Sequence, residues 1–457
     1  MKRASRWLMI LILVLVAAPL SAMAQGPDSA SPDAVTYTSG FQLQNLTGSL
    51  ATVAIVFYNQ DGSIANTVND TIAGNTNKTY YPLSAVSSGF DGSVVVSSDQ
   101  QLAAITNVLG NDGQRGASYG GFSDGATTVN LPLVMKAYFG IDTWFNVQNT
   151  GSASATVNIA YKPGTCTESV SVAPGAAKTL KQADNTCLPI GFVGAATITS
   201  AQPVAAAVMQ VNAQSLLAYK GFTTASTNPV MPLVSSNYYK SGTGISIQNT
   251  GASATTVTIS YKPSAGFPGA ACTETKSIPA GQSANYSYPQ LPAGCGTSGS
   301  GVTDTTNGGF VGSAAVTANS ANMPLVAMVN SVTRDTANAA AYEAFDSNSA
   351  TSKVAFPLIM DRNYNIFTGI SVANVGASAT NVTCTFTGTS YTASATNLQP
   401  GAALTDVQLN KIASGYVGAG TCTASGGDAK IAGIVTELTN SAASTTDALL
   451  AYDGFNY

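Results

Sequence analysis

One pattern is written four times along the chain. An apolar segment ends in Asn, a second segment alternates Thr or Ser with Val or Ile, and a glycine turn follows further on. The Asn segments read Phe41-Gln-Leu-Gln-Asn45, Phe145-Asn-Val-Gln-Asn149, Ile245-Ser-Ile-Gln-Asn249 and Ile370-Ser-Val-Ala-Asn374, and Gly89, Gly191, Gly309 and Gly415 open the later turns. Each repeat closes on a tyrosine segment: Ser118-Tyr-Gly-Gly-Phe122, Ala218-Tyr-Lys-Gly-Phe222, Ala341-Tyr-Glu-Ala-Phe345 and Ala451-Tyr-Asp-Gly-Phe455. A spacing of about one hundred residues is too long for a solenoid unit of roughly 20 to 50 and fits one small all-β domain per repeat.

The local periodicity is two. In the third repeat Ile245 and Ile247 alternate with Ser246 and Gln248, and Val257, Ile259 and Tyr261 alternate with Thr256, Thr258 and Ser260. One face buried and one face wet is the signature of antiparallel strands in a sandwich. Pro174-Gly175, Pro279-Ala-Gly281 and Pro400-Gly401 supply turns. The predicted fold class is therefore all-β, as four tandem immunoglobulin-like antiparallel β-sandwich domains. Leu131-Pro-Leu-Val134, Met231-Pro-Leu-Val234 and Phe356-Pro-Leu-Ile359 lie between repeats, each Pro at a constant distance ahead of the next landmark Asn. That constancy assigns each strand to the domain that follows it. The expected division is a leader over 1–24 and repeats over 25–125, 126–225, 226–350 and 351–457.

Six cysteines fall in pairs by repeat: Cys166 with Cys187, Cys272 with Cys295, and Cys384 with Cys422. Paired cysteines in an exported chain read as disulfides; metal ligation competes, but the sequence holds no His and no CxxC. Aligned on Asn374 and Gly415, Cys384 stands where the other repeats have Ile55, Ile159 and Ile259, and Cys422 where they have Val96, Ile198 and Val316. A bond between the two cysteines predicts that these aliphatic pairs also meet, across the core as the bridge of an immunoglobulin sandwich does. The other two pairs follow Tyr-Lys-Pro segments and are expected to clamp a loop or an edge strand.

The Gln-Asn-Thr-Gly turn followed by Ala-Thr-Val-x-Ile-x-Tyr resembles the hairpin of bacterial secreted immunoglobulin-like modules of the CARDB type, over some 25 residues of each repeat. The resemblance implies a β-sandwich, a cell-surface role and no catalytic residues. The cysteine pairs and the closing tyrosine segment are not part of that pattern.

Lys2, Arg3 and Arg6 precede an apolar run from Leu8 to Ala18, and small residues at Ala22 and Ala24 precede Gln25. This is the build of an export leader cleaved after Ala24, with an apolar run short of the roughly 20 residues of a membrane span. The expected location is extracellular or at the cell surface, with no membrane span once the leader is removed. Taking its three basic residues from the 18 in the chain leaves 15 against 22 acidic ones, a balance that argues against nucleic acid. Charged residues make up 9% of the sequence where about 25% is ordinary. Little like-charge repulsion keeps such surfaces apart, which suits self-association or packing against other surface proteins.

Enzymatic readings find little. Without His there is no Ser-His-Asp triad, no Cys-His pair and no ordinary zinc site. The four glutamates, Glu168, Glu274, Glu343 and Glu437, form no local cluster, and Glu168 and Glu274 are equivalent positions. No catalytic or metal-binding residues and no cofactor are expected. Asn59-Gln-Asp-Gly62 and Asn111-Asp-Gly113 read as turns rather than calcium loops. Lys162 and Lys262 are equivalent, but Tyr58 and Thr387 stand at the same place, which weakens a repeated isopeptide link. Tyr119, Tyr219, Tyr342 and Tyr452 are expected in the core, and Phe139, Tyr239 and Tyr364 are expected to pack under a connection or against the next domain. Trp144 replaces Gly40, Gly244 and Gly369, so it is either a carbohydrate-stacking platform or the filler of a local void. The function expected is a secreted, non-enzymatic structural or adhesion protein of the cell surface or extracellular matrix; the alternative is a carbohydrate-binding module array with polysaccharide as partner.

One departure from the repeat stands out. By the spacing of the others, the first repeat needs an apolar strand near Asp28, yet Gly26-Pro-Asp-Ser-Ala-Ser-Pro-Asp33 is polar. Either the N-terminal domain lacks a first strand and takes one from a neighbouring protomer, or Ala34 to Tyr37 forms a shorter one.

Overall fold

The computed structural model describes residues 8–12, 35–110, 115–286, 291–304, 306–334, 337–439, 447 and 449–457. The expected cleavage after Ala24 and the Asn111-Asp-Gly113 turn lie outside them. Apart from a 3-10 turn at Gln182–Asp184, the regular structure of these residues is β-strand in antiparallel sheets. In repeat 3 one sheet runs Cys272–Ile278, Thr255–Pro263, Phe310–Ala318, Pro229–Ser236 and Phe345–Asp346 from edge to edge. The facing sheet runs Ser283–Tyr286, Ser241–Asn249, Leu325–Thr333 and Ala339–Glu343. Repeat 4 has the same order, and in repeat 2 the long strand Phe192–Val211 passes through both sheets and joins them into one of seven strands.

The two-residue period does what it predicts: Val257, Ile259 and Tyr261 are buried between the sheets. The landmark Asn is buried for a different reason. Asn149 Nδ2 donates to the carbonyls of Ala153 (2.7 Å) and Val172 (2.9 Å), and its Oδ1 accepts the Gly151 amide (2.9 Å). Asn249 and Asn374 repeat all three bonds. One short amide side chain thus satisfies three backbone groups that the turn leaves unpaired, which no aliphatic side chain could do.

The strands that open repeats 2, 3 and 4, here called lead strands, are Ala126–Lys136, Pro229–Ser236 and Lys353–Asp361. Each is interrupted by a shift of register around its internal proline, between Leu131 and Val134, Met231 and Val234, and Phe356 and Ile359. Proline has no N–H to give to a ladder, so the strand bulges there and turns the proline carbonyl off the sheet.

In repeat 1 that edge is filled from further up the chain. Leu8–Ile12 pairs antiparallel with Gly92–Ser98, with Ile10 opposite Val96. Val129 and Val354, the equivalent partners in repeats 2 and 4, stand 20 positions ahead of Asn149 and Asn374, whereas Ile10 stands 35 ahead of Asn45. Ala34 lies outside the described residues; Val35 and Thr36 belong to no strand and Tyr37 opens Tyr37–Asn45 in the other sheet, so residues 35–37 do not occupy the edge. The five residues that pair there lie inside the apolar run expected to be the leader.

All three cysteine pairs are bonded. The expected geometry of Cys384–Cys422 needs correction. The two lie on adjacent strands of one sheet, directly opposite one another with Cα atoms 3.9 Å apart, rather than across the core. Ile55 and Val96, Ile159 and Ile198, and Ile259 and Val316 are likewise register partners within a sheet. The pairs meet as expected, but as neighbours: sequence spacing says that two strands touch and not whether side by side or face to face.

The closing strands Gly116–Gly120, Leu216–Lys220, Ala339–Glu343 and Leu449–Asp453 each pack against the next, and the fourth returns to the first. The four repeats therefore form a closed ring. Tyr219, Tyr342 and Tyr452 lie in the cores of their own sandwiches and Tyr119 in a cluster shared with repeat 2, and the residues beside them lie at the seams between repeats. These are Ser118, Ala218, Ala341 and Ala451, all buried and small enough for the sheets to approach closely.

Candidate functional sites at the joints of the ring

The bulged proline carbonyls become the joints. Pro132 O accepts Ser246 Oγ (2.8 Å) and Ser283 Oγ (2.6 Å) of repeat 3, Pro232 O accepts Ser371 Oγ (3.1 Å) of repeat 4, and Pro357 O accepts Gln42 Nε2 of repeat 1. In the remaining joint Asn146 of repeat 2 stands at the position of Gln42, Ser246 and Ser371. Its Nδ2 donates to Thr179 Oγ1 (3.0 Å), and its Oδ1 is buried and unpaired.

The buried tyrosines read the same strand from inside. Tyr219 Oη donates to Leu133 O (2.6 Å), and Tyr342 and Tyr452 donate to Leu233 O and Leu358 O, in each case the carbonyl one residue after the proline. In repeat 1 the buried Tyr119 hydroxyl has no lead-strand carbonyl to donate to and lies beside the buried Thr106 hydroxyl. Burial holds all four phenols protonated well above the ordinary tyrosine range.

The displaced carboxyls also lie between repeats. Glu437 of repeat 4 accepts Ser118 Oγ (3.0 Å) and Asn107 Nδ2 (3.1 Å) of repeat 1, and burial pushes its pKa up to about 7. Asp447 accepts the amides of Leu216 in repeat 2 and Ala339 in repeat 3, each at 2.9 Å; burial pushes it up to about 8 against the pull of those amides and of Arg115. At the axis Gly120, Lys220, Glu343 and Asp453 are equivalent positions. Lys220 Nζ lies 3.6 Å from Glu343 Oε2 and 5.6 Å from the Phe455 ring centre. A cavity of about 380 Å³ opens here, lined by Phe122, Phe222, Phe345, Phe455 and these charged groups. Burial, then the Glu343 charge, raises the Asp453 carboxyl, whose Oδ1 has no partner.

Phe139, Tyr239 and Tyr364 do not pack away as expected. They are 87%, 63% and 90% exposed, at the tip of the turn after each lead strand, with φ of 48°, 45° and 49°. A bulky residue in the left-handed region is strained, and three at equivalent tips mark a conserved backbone shape rather than a packing position. Below two of the tips lie grooves between repeats. One, of about 420 Å³, is lined by Tyr138, Phe139, Gly244 and the unpaired hydroxyl of Tyr286; the other, of about 510 Å³, by Tyr238, Tyr239, Phe267 and Gly369.

Trp144 takes the place of Gly244 and Gly369 at the joint between repeats 1 and 2. Its indole is half-buried, 5.6 Å from the Tyr37 ring, in a cluster with Val35, Tyr58 and Val211. The ring fills the space that glycine leaves open elsewhere.

Other candidates from the sequence have local duties. Glu274 accepts Tyr261 Oη (2.5 Å), and Glu168 accepts Tyr161 Oη. Asp61 accepts the amide (2.9 Å) and hydroxyl (2.7 Å) of Ser63, which close the turn and lower its pKa. Lys262 Nζ donates to Pro400 O (2.7 Å) across a joint, while Lys162 Nζ donates to Gly164 O (3.1 Å). Among the described residues no three His, Cys, Asp or Glu side chains converge as a metal site. The interlocking of joints was invisible in the sequence, because a backbone carbonyl at Pro132 and a serine at Ser246 carry no motif.

No family model matches the sequence, and no curated protein does. Among solved structures the chain is similar to the crystal structure of Thermotoga maritima 1070, at 16% identity, covering 21% of this chain and 94% of that one, with a TM-score of 0.19.

Proposed function

We propose that this is an exported, non-enzymatic structural or adhesion protein of the cell surface or extracellular matrix, built from four immunoglobulin-like domains. The observation that carries the reading is the use made of buried acids: Glu437 and Asp447 hold hydrogen-bond donors of other repeats and so serve cohesion. Three disulfides fit an oxidising compartment, and the scarcity of charge fits close packing among like molecules. Cell fractionation with thiol labelling tests it: the protein is expected outside the cytoplasm with all six cysteines oxidised, and labelled against immunogold at the surface. A cytoplasmic pool with free thiols overturns it.

A second reading, an array of carbohydrate-binding sites, is favoured by the exposed aromatic tips over uncharged grooves at Gly244 and Gly369. Binding to a neutral polysaccharide that falls when both Phe139 and Tyr239 become Ala supports it; binding untouched by the double variant counts against it.

A further inference from the structure

We propose that the edge of repeat 1 along Gly92–Ser98 is a strand-acceptor site that takes an extended aliphatic-Pro-Leu-aliphatic segment of a different exported chain. The inference rests on the reading that residues 1–24 are an export leader. Removal of the leader takes Leu8–Ile12 with it and leaves Gly92–Ser98 with an unpaired edge on a sandwich whose three sisters are closed there. An open edge beside a buried core is completed by β-augmentation, in which the main chain supplies the ladder and side chains supply register.

Equivalent contacts in the other repeats specify what completes it. The Tyr119 hydroxyl lacks the carbonyl that Leu133, Leu233 and Leu358 give its equivalents, and has only the Thr106 hydroxyl beside it. Asn146 Nδ2 donates to Thr179 Oγ1, without the proline carbonyl that accepts from Gln42, Ser246 and Ser371. Leu8–Ile12 pairs without a shift of register; a strand bulged at proline presents one carbonyl inward to accept from Tyr119 and one outward to accept from the second N–H of Asn146 Nδ2, as the other three lead strands do for their partners. A buried donor is stabilised by an acceptor, so these donors select for the bulged pattern.

A second copy of this chain is not the donor. Its three proline-bulged strands are each paired within their own repeats, and residues 25–34 contain no apolar run. The donor is therefore another chain carrying a segment like Leu131-Pro-Leu-Val134.

The test uses the chain starting at Gln25, oxidised, and a labelled synthetic peptide copying Ala126–Lys136. The peptide is expected to bind, to slow amide exchange along Gly92–Ser98 at least tenfold, and to bind at least tenfold more weakly when the chain keeps residues 1–24. Tyr119→Phe, which retains the ring, is expected to weaken binding several-fold, and replacing the peptide's proline by alanine to weaken it further. No binding, or equal binding to the chain with residues 1–24, overturns the proposal. So does dimerisation of the Gln25 chain that protects Gly92–Ser98 without peptide, which assigns the edge to a second copy. N-terminal sequencing of native exported protein separates the two readings: Leu8–Ile12 present in an exported protein overturns the acceptor while leaving the extracellular placement standing.

Discussion

Tyr119 and Tyr219 occupy the same place in adjacent repeats and are equally buried, yet the Tyr219 hydroxyl donates to a lead-strand carbonyl and the Tyr119 hydroxyl has only the Thr106 hydroxyl beside it. The flanking sequence is nearly the same, Ser-Tyr-Gly-Gly-Phe against Ala-Tyr-Lys-Gly-Phe. The difference lies in the strand opposite: a proline bulge in repeat 2 and five straight residues in repeat 1. A closing tyrosine therefore has two separable roles. Its ring is buried wherever it stands, and its hydroxyl meets a backbone carbonyl only where a bulged lead strand faces it.

The largest expected effect concerns the buried acids of repeat 4 that bond the other repeats. Glu437 and Asp447 have folded pKa values of about 7 and about 8, above their ordinary 4.5 and 3.8. The folded chain holds those protons after the unfolded chain has lost them. The stability they confer is thus complete at low pH, declines as pH rises from about 4, and is gone above about 8. Stability should fall by about 3 kcal/mol for Glu437 across that window. Glu437→Gln should flatten the decline in thermal unfolding followed from pH 5 to 8; an unchanged profile breaks the assignment. Trp144→Gly comes next, since it opens at the joint of repeats 1 and 2 the groove that Gly244 and Gly369 leave elsewhere. A loss of about 2 to 3 kcal/mol in chemical denaturation is expected for this half-buried ring.

Smaller effects sharpen the contrast between tyrosines. Tyr219→Phe, Tyr342→Phe and Tyr452→Phe each strip a buried carbonyl of its donor and should cost about 1 to 2 kcal/mol. Tyr119→Phe in the chain from Gln25 should cost less than about 1 kcal/mol, since it leaves no backbone carbonyl without its donor. Equal losses at all four positions would erase the distinction. The smallest effect is at Gly244, whose added Cβ would meet nothing nearer than Tyr286 O at 3.6 Å. Gly244→Trp should change stability by less than about 1 kcal/mol while closing the groove, a result that calorimetry and a crystal structure of the variant would check.

Much of the architecture was legible beforehand. Period-two burial, the pairing of cysteines and the core position of the closing tyrosines all follow from local chemistry. What stayed hidden depends on relations between distant strands. Ser118, Ala218, Ala341 and Ala451 look like filler in the sequence, and small residues announce close approach only once the approach is seen. Phe139 and Tyr364 read as apolar and hence buried, because a positive φ leaves no mark in residue type. Counting from Asn45 shows that no apolar strand stands at the usual spacing, but no count could say that Leu8–Ile12 pairs there. Glu437 and Asp447 carried no motif, since their partners are a serine, an asparagine and two backbone amides.

Closing four repeats into a ring within one polypeptide has a consequence for its axis. Four identical subunits around such an axis would have to bring four copies of the same side chain together, and four glutamates there would repel. A single chain is free of that constraint, because its four equivalent positions are encoded separately. Here they are Gly120, Lys220, Glu343 and Asp453: one position left bare for the Phe455 ring, one cation and two acids. The molecule keeps the geometry of a tetramer while its centre has the chemical diversity of a heteromer, at a stoichiometry that cannot vary.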